Sequence, residues 1–276
     1  MPDIIFSSLD KASQTIFQQI IFNFNFEELN ETFEGNKIYV NNNIRLITTN
    51  KPLIYSDHLD LLKSDLLIFA SRHKSDSGNP SLLVHCTGNW GNDAKFGGNP
   101  RELGNSVGSA IKIALMELQN QKEILELDRF DVSIEVSHHG PTQLITPLIF
   151  IELGSTPKDW GNKTGALAVA NAIIKVAKSN KKFKNYIGIG GSHYAPKFTK
   201  LVINPNLNFT ISHIIPKYML DYINRDMISK SIDRSMEKIE KFVLDWKGMN
   251  SNQRQKIILL IESINYEYEK AKSFKI

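Results

Sequence analysis

The sequence predicts an α/β fold, a three-layer sandwich around a mostly parallel or mixed central sheet, followed by C-terminal helices. Two observations carry this prediction. Short apolar runs of strand length recur along the 276 residues, and such runs are typical of buried strands. Helical patterns separate them, and this alternation of strand and helix is characteristic of sheets covered by helices.

The predicted elements follow the chain in order. A helix is expected at Ala12–Phe22, and a β-hairpin is expected from Lys37–Val40 and Ile44–Thr48. Buried strands are predicted at Asp65–Ala70, Ser81–Cys86, Val132–Val136, Pro147–Glu152 and Tyr186–Ile189. Longer helices are predicted at Glu102–Gln121 and Trp160–Lys178.

The C-terminal part of the chain shows helical spacing with mixed lysine and glutamate. Two or three helices are predicted there, at Lys217–Ile228, Ile232–Trp246 and Gln253–Lys272. Because no repeat, low-complexity tract or Gly/Ser-rich linker divides the chain, we expect one domain over residues 1–276, with 216–276 as a helical extension.

Composition restricts the class of protein. A single cysteine excludes an internal disulfide, and no apolar run approaches the roughly 20 residues that span a bilayer. A cytoplasmic protein without membrane association or an obligatory protein partner is therefore expected. The net charge of +4 and pI near 8.9 permit a polyanionic partner without requiring one.

Each of the five apolar runs is followed directly by a polar segment rich in glycine or histidine. Five of the seven histidines lie in or beside these segments, namely His73, His85, His138, His139 and His193. Open α/β sheets bind ligands beyond the carboxyl ends of their strands. If the runs are parallel neighbours, the segments meet in one cleft.

Histidines gathered in this way indicate metal or acid/base chemistry. Imidazole and carboxylate ligands suit Zn²⁺, and Glu152 at the end of its strand is a candidate carboxylate. No HExxH or CxxC spacing is present, so the ligands would come from separate loops. Adjacent residues of an extended chain point to opposite sides, so one of His138 and His139 would bind metal and the other orient substrate unless the loop curls. Cys86 is interpreted as a small buried side chain rather than a nucleophile.

Two further patterns suggest an anionic ligand. Glycines at 97–98 and around 188–191 allow backbone N–H groups to approach phosphate closely. Seven lysines and no acid lie between Lys175 and Lys200, interleaved with aromatic residues. Such a basic stretch either follows a nucleic-acid backbone or forms an ordinary solvated surface.

Taken together, the motifs resemble the D-aminoacyl-tRNA deacylases of archaea and plants. They are SRHKS at 71–75, VHCTGN at 84–89, GGNPREL at 97–103, SHHGPT at 137–142, ELGST at 152–156 followed by a tryptophan, and GGSHYAPKFT at 190–199. The resemblance covers about residues 65 to 200. It implies a phosphorylase/hydrolase-like fold, hydrolysis of the ester between a D-amino acid and tRNA, D-tyrosyl-tRNA as a typical substrate, and two Zn²⁺ ions.

The expected site follows from these motifs. Catalytic residues are expected to be His73, His138, His139, Glu152 and His193. Metal ligands are expected among His85, His138, His139, Glu152 and His193. Oxyanion stabilisation is expected from Arg72, Lys74 or backbone N–H groups of the glycine loops. Substrate contacts are expected from Arg72, Lys74, Asn89, Gly98, Thr142, Ser155, Thr156, Gly190, Gly191, Tyr194, Lys181, Lys182 and Lys184.

Two other functions remain compatible with the sequence. One is a nucleosidase or phosphorylase, which phosphate-dependent cleavage of a free nucleoside would reveal, because fold does not fix chemistry. The other is a non-catalytic RNA-binding protein with structural histidines, which would bind tRNA without cleaving an ester. Peptidyl-tRNA hydrolysis is a minor third possibility.

Overall fold

The computed structural model describes residues 1–274 and contains two β-sheets. The strands are β1 Pro2–Ser7, β2 Glu27–Phe33, β3 Asn36–Asn41, β4 Ile44–Thr49, β5 Leu66–Arg72, β6 Ser81–His85, β7 Asp131–Ile134, β8 Leu148–Gly154, β9 Lys184–Ile189, β10 Phe209–Ile215, β11 Ile239–Leu244 and β12 Tyr268–Lys270. The helices are α1 Lys11–Asn23, α2 Gly108–Ile124, α3 Pro157–Trp160, α4 Lys163–Lys178, α5 Pro196–Ile203, α6 Arg225–Asp233 and α7 Ser251–Glu262. The predicted α/β class is confirmed.

The larger sheet is mixed and has the strand order β2-β3-β4-β1-β5-β8-β6-β7. Strands β1, β5 and β8 run parallel to one another. Strand β6 pairs antiparallel with β8 on one side and parallel with β7 on the other. The predicted hairpin is confirmed as β3 and β4. The five apolar runs are therefore not all parallel neighbours, and strand direction is the feature that their composition could not reveal.

The two faces of this sheet are covered differently. On β8, Ile149, Ile151 and Leu153 pack into the core that contains α1, α2 and α4. Leu148 and Phe150 face the other way and join a smaller core beneath the segment around Leu53 and Leu59. Since side chains alternate along a strand, Glu152 lies on this second face.

Local sequence signals fix the helix starts. The side chain of Asp10 accepts the N–H of Ser13 at the start of α1, and Asn162 accepts that of Gly165 at the start of α4. Such caps satisfy backbone donors that have no partner within the helix, which stabilises each helix by about 1 kcal/mol. The predicted helices at Ala12–Phe22 and Trp160–Lys178 match α1 and α4, apart from a break before Lys163.

The second sheet has the order β10-β9-β11-β12, with all its pairs parallel. The predicted C-terminal helices are present as α6 and α7, but residues 216–274 are not wholly helical, because β11 and β12 lie in the segments predicted as the helices Ile232–Trp246 and Gln253–Lys272. Phe242 and Leu244 face a core formed with α6 and α7, while Val243 faces the core around α2. Burial on both faces requires a continuous apolar run, which periodicity alone does not separate from a buried helix.

None of the helices within residues 1–274 is long and apolar enough to cross a membrane.

Candidate functional site

Five histidines and two glutamates meet on the face of the larger sheet opposite α1 and α4. We call them the histidine–glutamate cluster, and its members are His73, His85, Glu135, His138, His139, Glu152 and His193. All five histidines that the sequence singled out are present. His213 and His58 lie outside the cluster.

Strands β6 and β8 place the centre of the cluster. Register pairs His85 with Phe150, so the His85 ring stacks on Phe150 and points to the same face as Glu152. His85 Nε2 lies 3.7 Å from Glu152 Oε1. The loops do not gather at one sheet edge as expected; instead Glu152 lies mid-sheet and is reached from both directions.

The remaining histidines come from three loops. His73 follows β5, and its Nδ1 lies 3.4 Å from Glu152 Oε2. His138 and His139 follow β7, with ring centroids 4.3 Å and 4.8 Å from that of His85. His193 follows β9 of the second sheet, and its ring centroid lies 4.6 Å from that of His138. The site is thus shared between the two sheets.

Three of the histidines present the same nitrogen to the centre. Their Nδ1 atoms each contact a nearby backbone carbonyl: His85 that of Cys86 at 3.1 Å, His138 that of Val136 at 2.8 Å, and His139 that of Gly140 at 2.6 Å. Because a carbonyl oxygen only accepts, each Nδ1 carries the hydrogen and each Nε2 has a free lone pair in the neutral ring. This arrangement is typical of metal-binding histidine. The loop does curl, since His139 has φ of 47°, so both adjacent histidines reach the centre.

Glu135 lies at the middle of the cluster, and sequence reasoning missed it. Its Oε1 is 2.9 Å from His193 Nε2 and 3.6 Å from His73 Nδ1, and its Oε2 is 4.0 Å from His85 Nε2. Its side chain is fully buried. The available signal was a lone carboxylate within an otherwise apolar run, because burying an unpaired charge is costly.

The electrostatics of the cluster divide its histidines into two groups. Although burial opposes the charged form, Glu152 and Glu135 raise the pKa of His73 and of His85. Burial and the neighbouring histidines lower the pKa of His138, and burial together with His85 lowers that of His139 to about 4. Despite its own burial, the two histidine partners hold the pKa of Glu152 below its ordinary value. The site therefore contains an ionised carboxylate and two histidines that remain neutral at pH 7.

Several predicted contact residues lie at the rim of the cluster. Tyr194 Oη is 3.1 Å from His73 Nε2 and donates to Ser75 Oγ. Arg72 and Lys74 are exposed and line the same cavity as His73, with the Arg72 guanidinium 5.3 Å from the Trp160 ring centre.

Other predicted residues hold the loops in place. Asn89 donates to the carbonyls of Gly97 and Asn99, and Thr142 Oγ1 accepts the N–H of Asn99. Gly98 has φ of +72°, and a Cβ there would lie 2.6 Å from Thr142. These contacts fasten the 97–99 turn to the loop that carries His138 and His139.

Two predicted residues point away from the cluster. Ser155 Oγ contacts Ser81 Oγ and donates to the Asn79 carbonyl. Thr156 caps α3, where its hydroxyl donates to Asp159. Both side chains are thereby committed to structural hydrogen bonds.

The glycine and lysine patterns also receive a structural explanation. A Cβ at Gly190 would lie 3.1 Å from the Asp245 carbonyl, and one at Gly191 would lie 3.3 Å from the Asp245 carboxylate. These glycines therefore let the loop pack against Asp245. The lysines 181, 182 and 184 lie before or at the start of β9, about 20 Å along the strand from the loop that carries His193.

Acids that are distant in sequence approach two of these lysines. Lys182 is 3.7 Å from Glu237, and Lys184 is 3.6 Å from Glu240. Lys181 lies over the ring of Phe183. The lysines do not join the cluster.

Two cavities adjoin the cluster, and His138 and His139 line both. The aromatic pocket, about 600 Å³, includes Trp90, Phe96, Tyr218, Met219 and Tyr222. The polar cleft, about 560 Å³, includes Asp10, Arg72, His73, Lys74, Asp76, Phe96, Glu152 and His193. A substrate can therefore extend from the cluster in two directions.

Comparison with known proteins gives consistent results. The family model described as D-aminoacyl-tRNA deacylase matches residues 61–269. The chain is 38% identical over 277 residues to the D-aminoacyl-tRNA deacylase of Pyrococcus furiosus, covering 98% of this chain and 100% of that protein. It is 35% identical to the one of Methanosarcina acetivorans, covering 95% and 89%. The crystal structure of a conserved protein of unknown function superposes with a TM-score of 0.90 at 30% identity, covering 99% of this chain and 96% of that one.

Proposed function

The chain belongs to the D-aminoacyl-tRNA deacylase family, and from this premise we propose that it hydrolyses the ester between a D-amino acid and tRNA with the help of Zn²⁺. The observation that carries the proposal is the histidine–glutamate cluster, buried at the junction of two cavities. Free D-amino acid and tRNA are the products, and D-tyrosyl-tRNA is the proposed typical substrate. A cytoplasmic location stays a prediction.

The donor set of the cluster fits zinc. Imidazole nitrogen and carboxylate oxygen are common zinc ligands. Glu135 Oε2 and His85 Nε2 are buried without a hydrogen-bonding partner among the residues that the structure describes, and the 2.9 Å contact of buried Glu135 Oε1 with His193 Nε2 lacks hydrogen-bond geometry. Buried polar atoms of this kind are costly unless something pairs with them, and a cation pairs with all three.

The arrangement of donors supports two ions. Three groups have ligand atoms within 4.8 Å of one another: His85 with His138 and His139, His73 with Glu135 and Glu152, and Glu135 with His138 and His193. The first two groups share no residue. Each of them would hold one ion, and the third group, which contains His193, shares His138 with the first and Glu135 with the second.

The chain's own residues contribute binding and proton handling. Zn²⁺, when bound, supplies a Lewis acid that polarises an ester carbonyl and acidifies water. The Nδ1–H bonds of His85, His138 and His139 to backbone carbonyls hold the rings in orientation and keep each Nε2 available. Pre-set ligands of this kind need no rearrangement when substrate binds.

His73 can hold a proton on the nitrogen that faces away from its carboxylate partners. Its Nδ1 faces Glu152 and Glu135, the other members of its group, and its Nε2 faces Tyr194 Oη. Because the Tyr194 hydroxyl donates to Ser75, it accepts from His73 Nε2–H. A proton held there is close to the polar cleft, where Arg72 and Lys74 are placed to stabilise a developing oxyanion.

The test is deacylation of matched D- and L-tyrosyl-tRNA before and after removal of metal. We expect hydrolysis of the D-ester only, its loss on chelation, and its return with added Zn²⁺. We also expect His138→Ala, His139→Ala and His193→Ala each to lower turnover by at least about 100-fold while circular dichroism stays unchanged. Full activity in metal-free protein would refute zinc dependence, and phosphate-dependent cleavage of a nucleoside would favour the phosphorylase-like alternative.

A further inference from the structure

We propose that the aromatic pocket binds the base of the 3′-terminal nucleoside of tRNA, while the amino acid enters the polar cleft. This inference rests on the proposed function, and it assigns the two ends of the substrate to the two cavities.

The histidine–glutamate cluster lies between the two cavities. An aminoacyl ester joins a nucleoside to an amino acid, and the reacting carbon lies between them. His138 and His139 line both cavities, and Phe96 also borders both. An ester placed over the cluster therefore directs its nucleoside into one cavity and its amino acid into the other.

Exposed tyrosines distinguish the aromatic pocket from the cleft. Tyr218 and Tyr222, 51% and 68% exposed, line the pocket, and Phe96, 60% exposed, stands at its border with the cleft. Buried Trp90 lies behind them, fixed by its Nε1–H bond to the Ser137 carbonyl. Unpaired bases at the end of a nucleic-acid strand stack on exposed aromatic rings of this kind. Arg101 and Lys95 also line the pocket and offer positive charge to the adjoining phosphate.

Charge favours the polar cleft for the amino acid. An aminoacyl ester carries an α-ammonium group. Besides Glu152, the carboxylates of Asp10 and Asp76 line the cleft and offset its two cations, Arg72 and Lys74, whereas the aromatic pocket has one carboxylate and two cations, Lys95 and Arg101. The acid of the aromatic pocket, Asp93, is 3.3 Å from the ammonium of Lys95 and is thereby partly neutralised. The cationic end of the substrate is thus better matched by the cleft.

The experiment varies the amino acid while the base is kept constant. KM is measured for D-tyrosyl-adenosine and D-alanyl-adenosine with the wild type, Tyr222→Ala, Tyr222→Phe and Phe22→Ala. Loss of one stacking ring should raise KM by about 5- to 150-fold for both substrates in Tyr222→Ala. Tyr222→Phe keeps a ring and should stay near wild type. Phe22, an exposed aromatic on α1, is the matched control and should change nothing.

A second measurement does not depend on catalysis. Adenosine 5′-monophosphate is titrated against the wild type and Tyr222→Ala, with binding followed by saturation-transfer NMR. Weaker binding to the variant by a similar factor supports the assignment, and equal binding overturns it. A KM effect confined to D-tyrosyl-adenosine would instead place the amino-acid side chain in the pocket. If the wild type cleaves no D-aminoacyl-tRNA, the proposed function fails, and nucleotide binding still reports on the pocket.

Discussion

Replacing Glu135 by glutamine should remove most of the stabilisation that we expect zinc to give to the protein. The carboxylate lies within 4.0 Å of nitrogen atoms of His73, His85 and His193 and has no hydrogen-bonding partner in the part of the chain described. Glutamine keeps the size of the side chain and removes its charge. Loss of a residue that only hydrogen-bonds to a metal ligand weakens metal binding by about 10- to 100-fold, so loss of a ligand itself should weaken it by about 100-fold.

The expected shift in melting temperature follows from this factor. Zinc at 100 times Kd stabilises the wild type by about 2.7 kcal/mol, which corresponds to roughly 5 to 11 °C in Tm for a chain of this size. If Kd is 100-fold weaker in Glu135→Gln, the same zinc concentration contributes about 0.4 kcal/mol. The shift then falls to about 1 °C.

The assay is calorimetric melting of metal-free protein with and without added zinc. Glu34→Gln is the matched control, because Glu34 Oε1 also lies 2.9 Å from a histidine, His58, outside the cluster. That variant should keep the full zinc-dependent shift. An equal shift in wild type and Glu135→Gln would show that Glu135 is not a ligand and would refute the reasoning.

Two further predictions concern His213 and the lysines before β9. Burial lowers the pKa of His213 to about 4, below the value near 6.5 of an unfolded chain. Its contribution to stability is therefore complete above pH 6.5 and falls by about 1.4 kcal/mol per pH unit towards pH 4. The unfolding free energy of His213→Gln, measured by urea unfolding, should depend less steeply on pH over this range. An unchanged pH dependence would show that other groups cause it. Replacing Lys178, Lys181, Lys182 and Lys184 by alanine should raise KM for tRNA without changing that for D-aminoacyl-adenosine, because the lysines lie far from the cluster. The slope of log KM for tRNA against log salt concentration should flatten by fewer than about four units, since Lys182 and Lys184 already face Glu237 and Glu240. Identical slopes in the variant and the wild type would show that the lysines belong to an ordinary solvated surface.

The sequence predicted the strands around the site because their apolar runs are short and bounded by polar residues. It did not predict the direction of β6, since parallel and antiparallel pairing both accept SLLVH. Strand β11 was predicted as a helix because Phe242, Val243 and Leu244 are equally compatible with either element when both faces are buried. Pairing with β9, which is distant in sequence, decides between them.

The candidate site was also predicted only in part. The histidines were found because each follows an apolar run directly. Glu135 was missed because it lies inside VSIEV, where a strand on a buried sheet was expected to hold only structural residues. Gly98 and Thr142 were predicted to contact substrate, and their contacts in the fold are with neighbouring loops, whereas Asn89 both bonds the 97–99 turn and lines the aromatic pocket. Residue type identifies polar loops but does not tell whether their side chains face a ligand or each other.

The division of the cluster between the two sheets has a consequence for local opening of the chain. His193 follows β9 of the smaller sheet, whereas His85 and Glu152 belong to strands of the larger one. The group of Glu135, His138 and His193 draws on both sheets, so an ion held with its help would be released when either sheet opens. Amide hydrogen exchange in β8 and β9 should therefore slow by the same factor when zinc is added, while exchange in the β2–β3 hairpin, far from the cluster, keeps its metal-free rate.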